Sequence, residues 1–347
     1  MKKSAISCED VDKRFDDTVA VRGLSFDLQP GELLSLLGPS GCGKTTALRL
    51  IAGFETPDSG RIFVGGTEVA GPKTNLPPER RRVGMVFQDY ALFPHMSLRE
   101  NVAYALNGNS DDRVAELLGL VGLAGLDERM PHELSGGEQQ RGALARSLAS
   151  EPQAILLDEP FSNLDAALRA HVRAEVRGIL RAAGATAVFV THDIEEALSL
   201  TDRVAVMFDG RIEQIATPRD LYRQPATRRI AEWLGDANFL PGRADGSRVE
   251  CELGRLPSDQ AINGPVDVMV RPDWLTIATA EPGTGAVVDR IFYGHDQLIR
   301  VALDSGTTVQ VRVLSDDEFL PGQRVTVGCQ GPNVVFRPGP ADDADSR

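Results

Sequence analysis

No stretch of this chain is long and apolar enough to cross a membrane as a helix; every hydrophobic run is broken well short of the ~20 residues that a bilayer core demands. The opening MKKSAISCEDVDKRF turns acidic before the apolar centre of a secretory leader could form. These absences imply work in the cytoplasm, with any membrane attachment made through a partner. Cysteine is scarce too. Cys8, Cys42, Cys251 and Cys329 show neither zinc-site nor redox spacing, and read as free thiols in a reducing compartment. Nor is there an excess of positive charge. With 37 Lys and Arg against 50 Asp and Glu, the formal charge of −13 disfavours a polyanion as general partner. The basic cluster Glu79-Arg80-Arg81-Arg82 reads as a solvated face or an ion-paired turn.

What is present suits a globular chain. At 347 residues and 42% hydrophobic, it is long enough for two domains with sizeable cores. Three stretches then carry chemistry: GPSGCGKT at 38–45, LSGGEQQR at 134–141 and AILLDEP at 154–160. The first follows an apolar run suited to a buried strand at 33–37 and precedes a helix at 45–52 that Gly53 closes. It reads as a phosphate-binding loop: Gly38, Gly41 and Gly43 let backbone N–H groups face phosphate oxygens, with Pro39, Ser40 and Cys42 between them and the helix dipole behind. Lys44 would reach the β- and γ-phosphates, Thr45 would ligate Mg²⁺, and Thr46 completes the first turn.

The second stretch puts Ser135, Gly136 and Gly137 before a helix of small residues, which makes a second anion site at a positive helix end. The third delivers two adjacent carboxylates, Asp158 and Glu159, at the end of a buried strand; acids there need a cation or a proton to handle.

With its motifs in this order, the chain resembles the nucleotide-binding subunits of ABC transporters. The resemblance extends to Phe15, matching the aromatic that stacks on adenine; Gln88 in VFQDYALFPH, the switch-loop glutamine that also reaches the metal; Ser162-Asn163-Leu164-Asp165 after the carboxylates; and His192 in FVTHDIEEAL, the switch histidine. It implies an α/β fold, a P-loop cassette with a mixed sheet and a helical subdomain, at residues 1–235, the subdomain spanning about 96–150. Helices are expected at 97–106 and 111–126, joined by the turn-like NGNSDD at 107–112. Glycine and proline punctuation at Pro225, Gly235, Pro241 and Gly242 marks a domain boundary. Brief alternating runs come after it, such as VDVMVRP, QLIRVAL and TVQVRVL, which read as a small all-β barrel of OB type at 236–338. Arg271-Pro272-Asp273 resembles the opening motif of the β-domain appended to many importer ATPases. Such a domain either binds oligonucleotides or small anions or serves as a scaffold for dimer contacts. The tail 339–347 has nothing to bury and is expected to be disordered.

In the mechanism that the resemblance implies, Asp158 holds Mg²⁺, Glu159 activates the attacking water, His192 senses the γ-phosphate, Asp165 joins the nucleotide-binding residues, and Ser135, Gly136 and Gly137 reach the ATP of a second copy in a head-to-tail dimer. Two membrane permease subunits and an external solute-binding protein would complete an importer, with this chain peripheral on the cytoplasmic face of the inner membrane. Tyr90, Leu92, Phe93 and Met96 read either as core or as the exposed groove for a permease helix. Text outside the motifs, TNLPPERRRVG and CELGRLP among it, looks closest to ferric-iron importers; polyamine, sulfate, thiamine and sugar importers stay open. Exporter subunits are a further rival. ABC-type repair and translation factors would make nucleic acid or the ribosome the partner, against which stand one cassette, no long insertion between the first two motifs, and the acidic balance.

Overall fold

The computed structural model describes residues 3–106 and 111–338, so part of the 107–112 connection and the tail 339–347 lie outside the described residues. The chain divides into two compact units, one through Arg219 and one from Asp220. In the first, β1 (Ile6–Phe15) and β2 (Thr18–Leu28) pair antiparallel about a turn in which Asp16 takes a positive φ. The fully buried β3 (Leu33–Leu37) leads into α1 (Lys44–Ala52), which ends on Gly53 at φ 92°, as expected for a left-handed cap. Next come β4 (Ser59–Val64), β5 (Thr67–Gly71), β6 (Thr74–Asn75) and β7 (Val83–Val86). Helices α2 (Leu98–Ala103), α3 (Asp111–Leu120) and α4 (Gly136–Ala149) precede β8 (Ala154–Asp158), α5 (Ala166–Ala182), β9 (Ala187–Thr191), α6 (Ile194–Leu200), β10 (Arg203–Phe208) and β11 (Arg211–Ala216).

Two sheets result. One is antiparallel in the order β2-β1-β4-β5-β6; the other runs β11-β10-β3-β9-β8-β7, parallel except for the β10–β11 pair. A parallel sheet is buried on both faces, and the strand period of two divides its residues between two cores. Leu33, Ile155, Leu157, Ala187 and Phe189 join the cluster built by α2–α5, while Leu34, Leu36, Leu156, Val188 and Val190 join the one shared with α1 and the antiparallel sheet. This places the C-terminal ends of β3, β8 and β9, with their loops, at one edge.

Two of the three helical starts in the subdomain are capped as boxes: Ser97 with Glu100, and Ser135 with Glu138. The expected helix at 97–106 is shorter, and the one expected at 111–126 stops at Leu120, because Gly122 turns left-handed at φ 68°. Of the 79–82 cluster, Glu79, Arg80 and Arg82 are exposed as expected, but Arg81 is buried. Its guanidinium donates to the Leu50 and Ile51 carbonyls at 2.6 and 3.2 Å, closing the C-terminal end of α1, and to Leu76 O at 2.7 Å.

After α7 (Pro218–Arg223), α8 (Arg228–Trp233) opens the second unit's own fold. The units part upstream of the expected 235/236 boundary because α8 packs with the β-rich segment C-terminal to it: Ala231 sits against Met269 and Val334, and buried Arg271 donates to the carbonyls of Ala231, Gly235 and Asp236 at 2.8, 2.9 and 3.1 Å. The unit is all-β as expected beyond these helices. Its strands are β12 (Asn238–Cys251), β13 (Gly254–Val270), β14 (Leu275–Thr279), β15 (Gly285–Phe292), β16 (Asp296–Leu303), β17 (Thr308–Leu314), β18 (Arg324–Cys329) and β19 (Val334–Phe336). They form two sheets, β12-β13-β19 and β14-β18-β15-β16-β17, over one core. Asn238 ties them, donating to Gln310 O at 2.8 Å and accepting from Gln310 N at 2.7 Å. Pro241 and Gly242, expected as punctuation, lie inside β12; an edge strand tolerates a proline that donates nothing to the ladder.

Replacing Arg271 by alanine leaves those carbonyls unpaired and removes a cation from 4.4 Å over the Tyr222 ring. Denaturant unfolding of the full chain should show a loss of about 2–4 kcal/mol, read as an earlier midpoint for the second unit, since a buried charge-assisted network has lost its donor side.

Candidate active site

The loop between β3 and α1 wraps its own lysine. Lys44 is buried, and Nζ donates to Gly38 O at 2.7 Å and Pro39 O at 2.9 Å, while the Pro39 carbonyl also accepts from Cys42 N at 3.3 Å. Ser40 and Gly41 form the tip, and Thr46 lies in the first turn of α1. Gly43 is required twice over: it sits at φ 102°, and a Cβ there would lie 2.0 Å from Ala20 O. Burial pushes the Cys42 thiol up, so this cysteine acts as a small filler.

β8 carries the carboxylates to the same edge. Thr45 Oγ1 donates to Asp158 Oδ1 at 3.1 Å. Burial, with a smaller push from neighbouring Glu159, raises the Asp158 carboxyl above the ordinary carboxylate range, against the lowering effect of the Thr45 hydroxyl. Glu159 has φ 43°, a left-handed conformation rare for its residue type and costly unless the surroundings enforce it. They do: its N–H donates to Val190 O at 3.0 Å, and its carbonyl accepts from Ser162 Oγ at 2.9 Å and Ser162 N at 3.2 Å. The carboxylate so aimed meets His192, whose Nδ1 lies 3.3 Å from Glu159 Oε1.

The turn holding His192 rests on a residue that sequence reasoning does not single out. Glu196 is buried and accepts from Thr191 Oγ1 at 2.6 Å, which leaves the threonine oxygen to accept from Asp193 N at 2.9 Å. Both flanks of His192 are thereby fixed. Burial raises the Glu196 carboxyl, the Thr191 bond opposing it. A buried acid behind an apolar strand is a recognisable signal, although EE at 195–196 reads first as a solvated helix start.

Gln88 follows β7 and is exposed; Asn163 Nδ2 donates to its carbonyl at 2.9 Å, linking it to the segment after Glu159. Phe15 ends β1, 41% exposed, with Lys13 Nζ 5.1 Å from its ring centroid. Ser135 Oγ caps α4 by accepting from Glu138 N at 3.4 Å, and it donates to Glu138 Oε2 at 2.7 Å. Asp165 caps α5 in the same way, accepting from Leu168 N at 2.8 Å. Cβ atoms on Gly136 and Gly137 would come within 3.0 Å of Leu164 and Val172, so α4 starts hard against α5 and the segment before it. Among the described residues, the chain thus gathers Lys44, Thr45, Asp158, Glu159 and His192 at one edge, whereas Ser135, Gly136 and Gly137 make their own contacts with Glu138, Leu164 and Val172.

Of the four apolar candidates after Gln88, Tyr90 is buried and Leu92 packs partly buried on the subdomain core; neither is free surface. Phe93 instead meets Tyr104 edge-on at 4.7 Å, and Tyr104 is 64% exposed. Sequence reasoning misses that aromatic because a lone tyrosine near a helix end carries no signal.

A phosphate loop feeding α1 from a parallel sheet, with a hydroxyl–carboxylate pair and a glutamate–histidine pair beside it, defines a P-loop ATPase. Residues 21–162 match the ABC transporter family and 268–336 the TOBE domain. The chain is 44% identical over 351 residues, 97% of this chain and 98% of the relative, to the Fe(3+) ions import ATP-binding protein FbpC of Rhizobium etli. It is 45% identical to FbpC 2 of Rhodococcus jostii, over 96% of this chain and 99% of that one. Among solved structures it is similar to cbiO1 of Clostridium perfringens, part of the ABC transporter complex cbiONQ (TM-score 0.58, 27% identity, 64% of this chain and 92% of that chain). A dimeric ATP-binding cassette in a post-hydrolysis state with ADP and Pi is similar as well (TM-score 0.52, 29% identity, 62% of this chain and 99% of that chain). The chain belongs to the ATP-binding proteins of the ABC transporter family.

Proposed function

We propose that this chain is the ATP-hydrolysing subunit of a ferric-ion importer, acting as a head-to-tail pair beneath two membrane permease subunits on the cytoplasmic face of the inner membrane, with an external solute-binding protein supplying the cargo. The observation that carries the energy-coupling role is the Glu159 carboxylate, held in a strained conformation 3.3 Å from His192 Nδ1. The cargo follows the Fe(3+) import relatives, which are similar along nearly the whole chain. Ferric ion is substrate here, caught outside and passed through the permease, so this chain needs no ligand set for it.

In this reading Lys44 leaves its two loop carbonyls for the β- and γ-phosphates, and the N–H groups of residues 41–46 cradle them. Phe15 offers its exposed face to the adenine ring. Mg²⁺ fits Thr45 and Asp158, a hydroxyl and a desolvated carboxylate, hard oxygen donors for a hard cation, with Gln88 as the third candidate. When bound, the ion would spread charge from the phosphate oxygens. Glu159 orients the attacking water and takes its proton, and His192 donates to the γ-phosphate. Ser135, Gly136, Gly137 and Asp165 face the ATP of the second copy. Loss of the γ-phosphate removes the charge that joins the copies, and the pair opens.

The test is transport by the reconstituted complex with its permease and solute-binding protein. ATP-dependent uptake of radiolabelled ferric ion, but not of a polyamine, sulfate, thiamine or a sugar, is the expected result; uptake of one of those instead would reassign the cargo. Exposed Tyr104, set edge-on to half-buried Phe93, offers an adaptable aromatic contact for a permease helix. Tyr104→Asp should leave ATP affinity within about twofold but cut the ATPase stimulated by loaded solute-binding protein about tenfold, because a charge now lies in the docking contact. Wild-type stimulation in that variant would remove this face from coupling.

A further inference from the structure

The turn after Gln88 is held by one side chain from the helix that carries Ser135. Tyr90 and Ala91 are consecutive non-glycine residues in the left-handed region, at φ 60° and 47°. An L residue resists that conformation, and two in succession persist only where something outside the turn enforces them. Arg146 does so: Nη1 donates to Ala91 O at 2.8 Å, Nη2 to Tyr90 O at 3.3 Å, and the guanidinium lies 5.1 Å from the Phe93 ring centroid. The planar fork thus grips both strained residues and rests on a third.

The turn so held is also locally unsatisfied. Tyr90 is 5% exposed, and its hydroxyl has no hydrogen-bond partner, although it lies 3.9 Å from where Gly136 would carry a Cβ, at the start of α4. A buried orphan hydroxyl is destabilising. Positive φ at two residues and one unpaired hydroxyl therefore sit in a single turn between Gln88 and α4, which is where a displacement of Gln88 would be felt. From the other side, Asn163 holds the Gln88 carbonyl and so ties the turn to the segment after Glu159.

We propose that Arg146 is a positioning residue for ATP hydrolysis: by clamping the Tyr90–Ala91 turn onto α4 it makes Gln88 and the Ser135 end of α4 respond together within one chain. The proposal rests on the reading of Gln88 as the residue that meets the metal and nucleotide. Arg146 itself touches neither. It acts by keeping a turn in an arrangement the turn does not favour by itself, so the need for the clamp should vanish when the strain does.

That dependence supplies the test, made on the full chain with Mg²⁺-ATP. Arg146→Gln should lower kcat about tenfold with KM for ATP within about twofold, the pattern of lost positioning rather than lost binding. Arg146→Lys should fall between, since an ammonium lacks the fork that spans both carbonyls. Ala91→Gly makes φ 47° cost-free, so in the Arg146→Gln background it should return kcat to within about threefold of wild type. Arginine serving only as packing would not be rescued by glycine at a neighbouring turn. If Arg146→Gln does not fold, by its thermal midpoint, the Arg146→Lys pair carries the same cycle. Failure of Ala91→Gly to restore either variant, or wild-type turnover without the clamp, overturns the proposal. Gln88→Ala is measured alongside: wild-type kinetics there would sink the reading of Gln88 while rescue at position 91 still stood.

Discussion

Glu159→Gln should bind ATP as the wild type does and lose steady-state hydrolysis by about 10²- to 10⁴-fold, the usual share of a general base. Glutamine keeps the shape and can still hydrogen-bond His192 Nδ1, and the backbone clamp from Ser162 and Val190 that fixes φ 43° does not involve the carboxylate. Only the capacity to take a proton from water is removed. With the γ-phosphate uncleaved, the pair should persist, so light scattering of this variant with ATP should report a dimer where the nucleotide-free chain gives a monomer. Turnover at the wild-type rate would take Glu159 out of its role, and monomers at high protein concentration with ATP would remove the shared site.

Mixing two inactive variants should restore activity. A Lys44→Ala chain lacks the lysine proposed to bind phosphate but keeps Ser135, and a Ser135→Arg chain is the reverse. In the proposed head-to-tail pair each nucleotide would lie between one chain's Lys44 and the other's Ser135, so a mixed dimer would hold one intact site and one doubly damaged site. Random mixing of equal amounts makes about one quarter of all sites intact, which sets the expected recovery if a site can fire alone. Because Ser135 also caps α4, the Ser135→Arg chain should lose about 1 kcal/mol of stability, and its folding is checked by circular dichroism before mixing. No recovery from two folded partners that form mixed dimers would mean that the sites are not independent or not shared.

The loop before α1 and the paired acids ending β8 were legible in the sequence because each depends on a short contiguous run. A loop that presents backbone N–H groups to phosphate needs glycines at fixed offsets, and a strand that ends in two acids needs them adjacent; neither requirement depends on distant residues. The division of β3, β8 and β9 between two cores follows from strand geometry, since strand residues face opposite sides at a period of two. The hairpin of β12 and β13 is hidden from a linear reading for the opposite reason: among Gly, Pro and charged residues few apolar side chains face inward, Leu240, Ala244 and Val249 on β12 among them, and a proline stands inside the strand.

What no linear reading could supply were the long-range hydrogen bonds of arginines. Arg81 looks like surface charge in the sequence, Arg146 carries no signal there and Arg271 shows only as part of its Arg-Pro-Asp motif, yet each holds backbone carbonyls that chain geometry leaves at a helix end or strained turn. A carbonyl left without a partner has no signature in the residue that bears it, because every residue type has one. Composition and motif order therefore established the ABC family, the paired acids at the end of β8 and the all-β second unit. The three-dimensional packing settled which cations are structural, where the second unit begins, and that Tyr90 lies inside while Tyr104 lies outside, since burial depends on what folds over a residue from elsewhere in the chain.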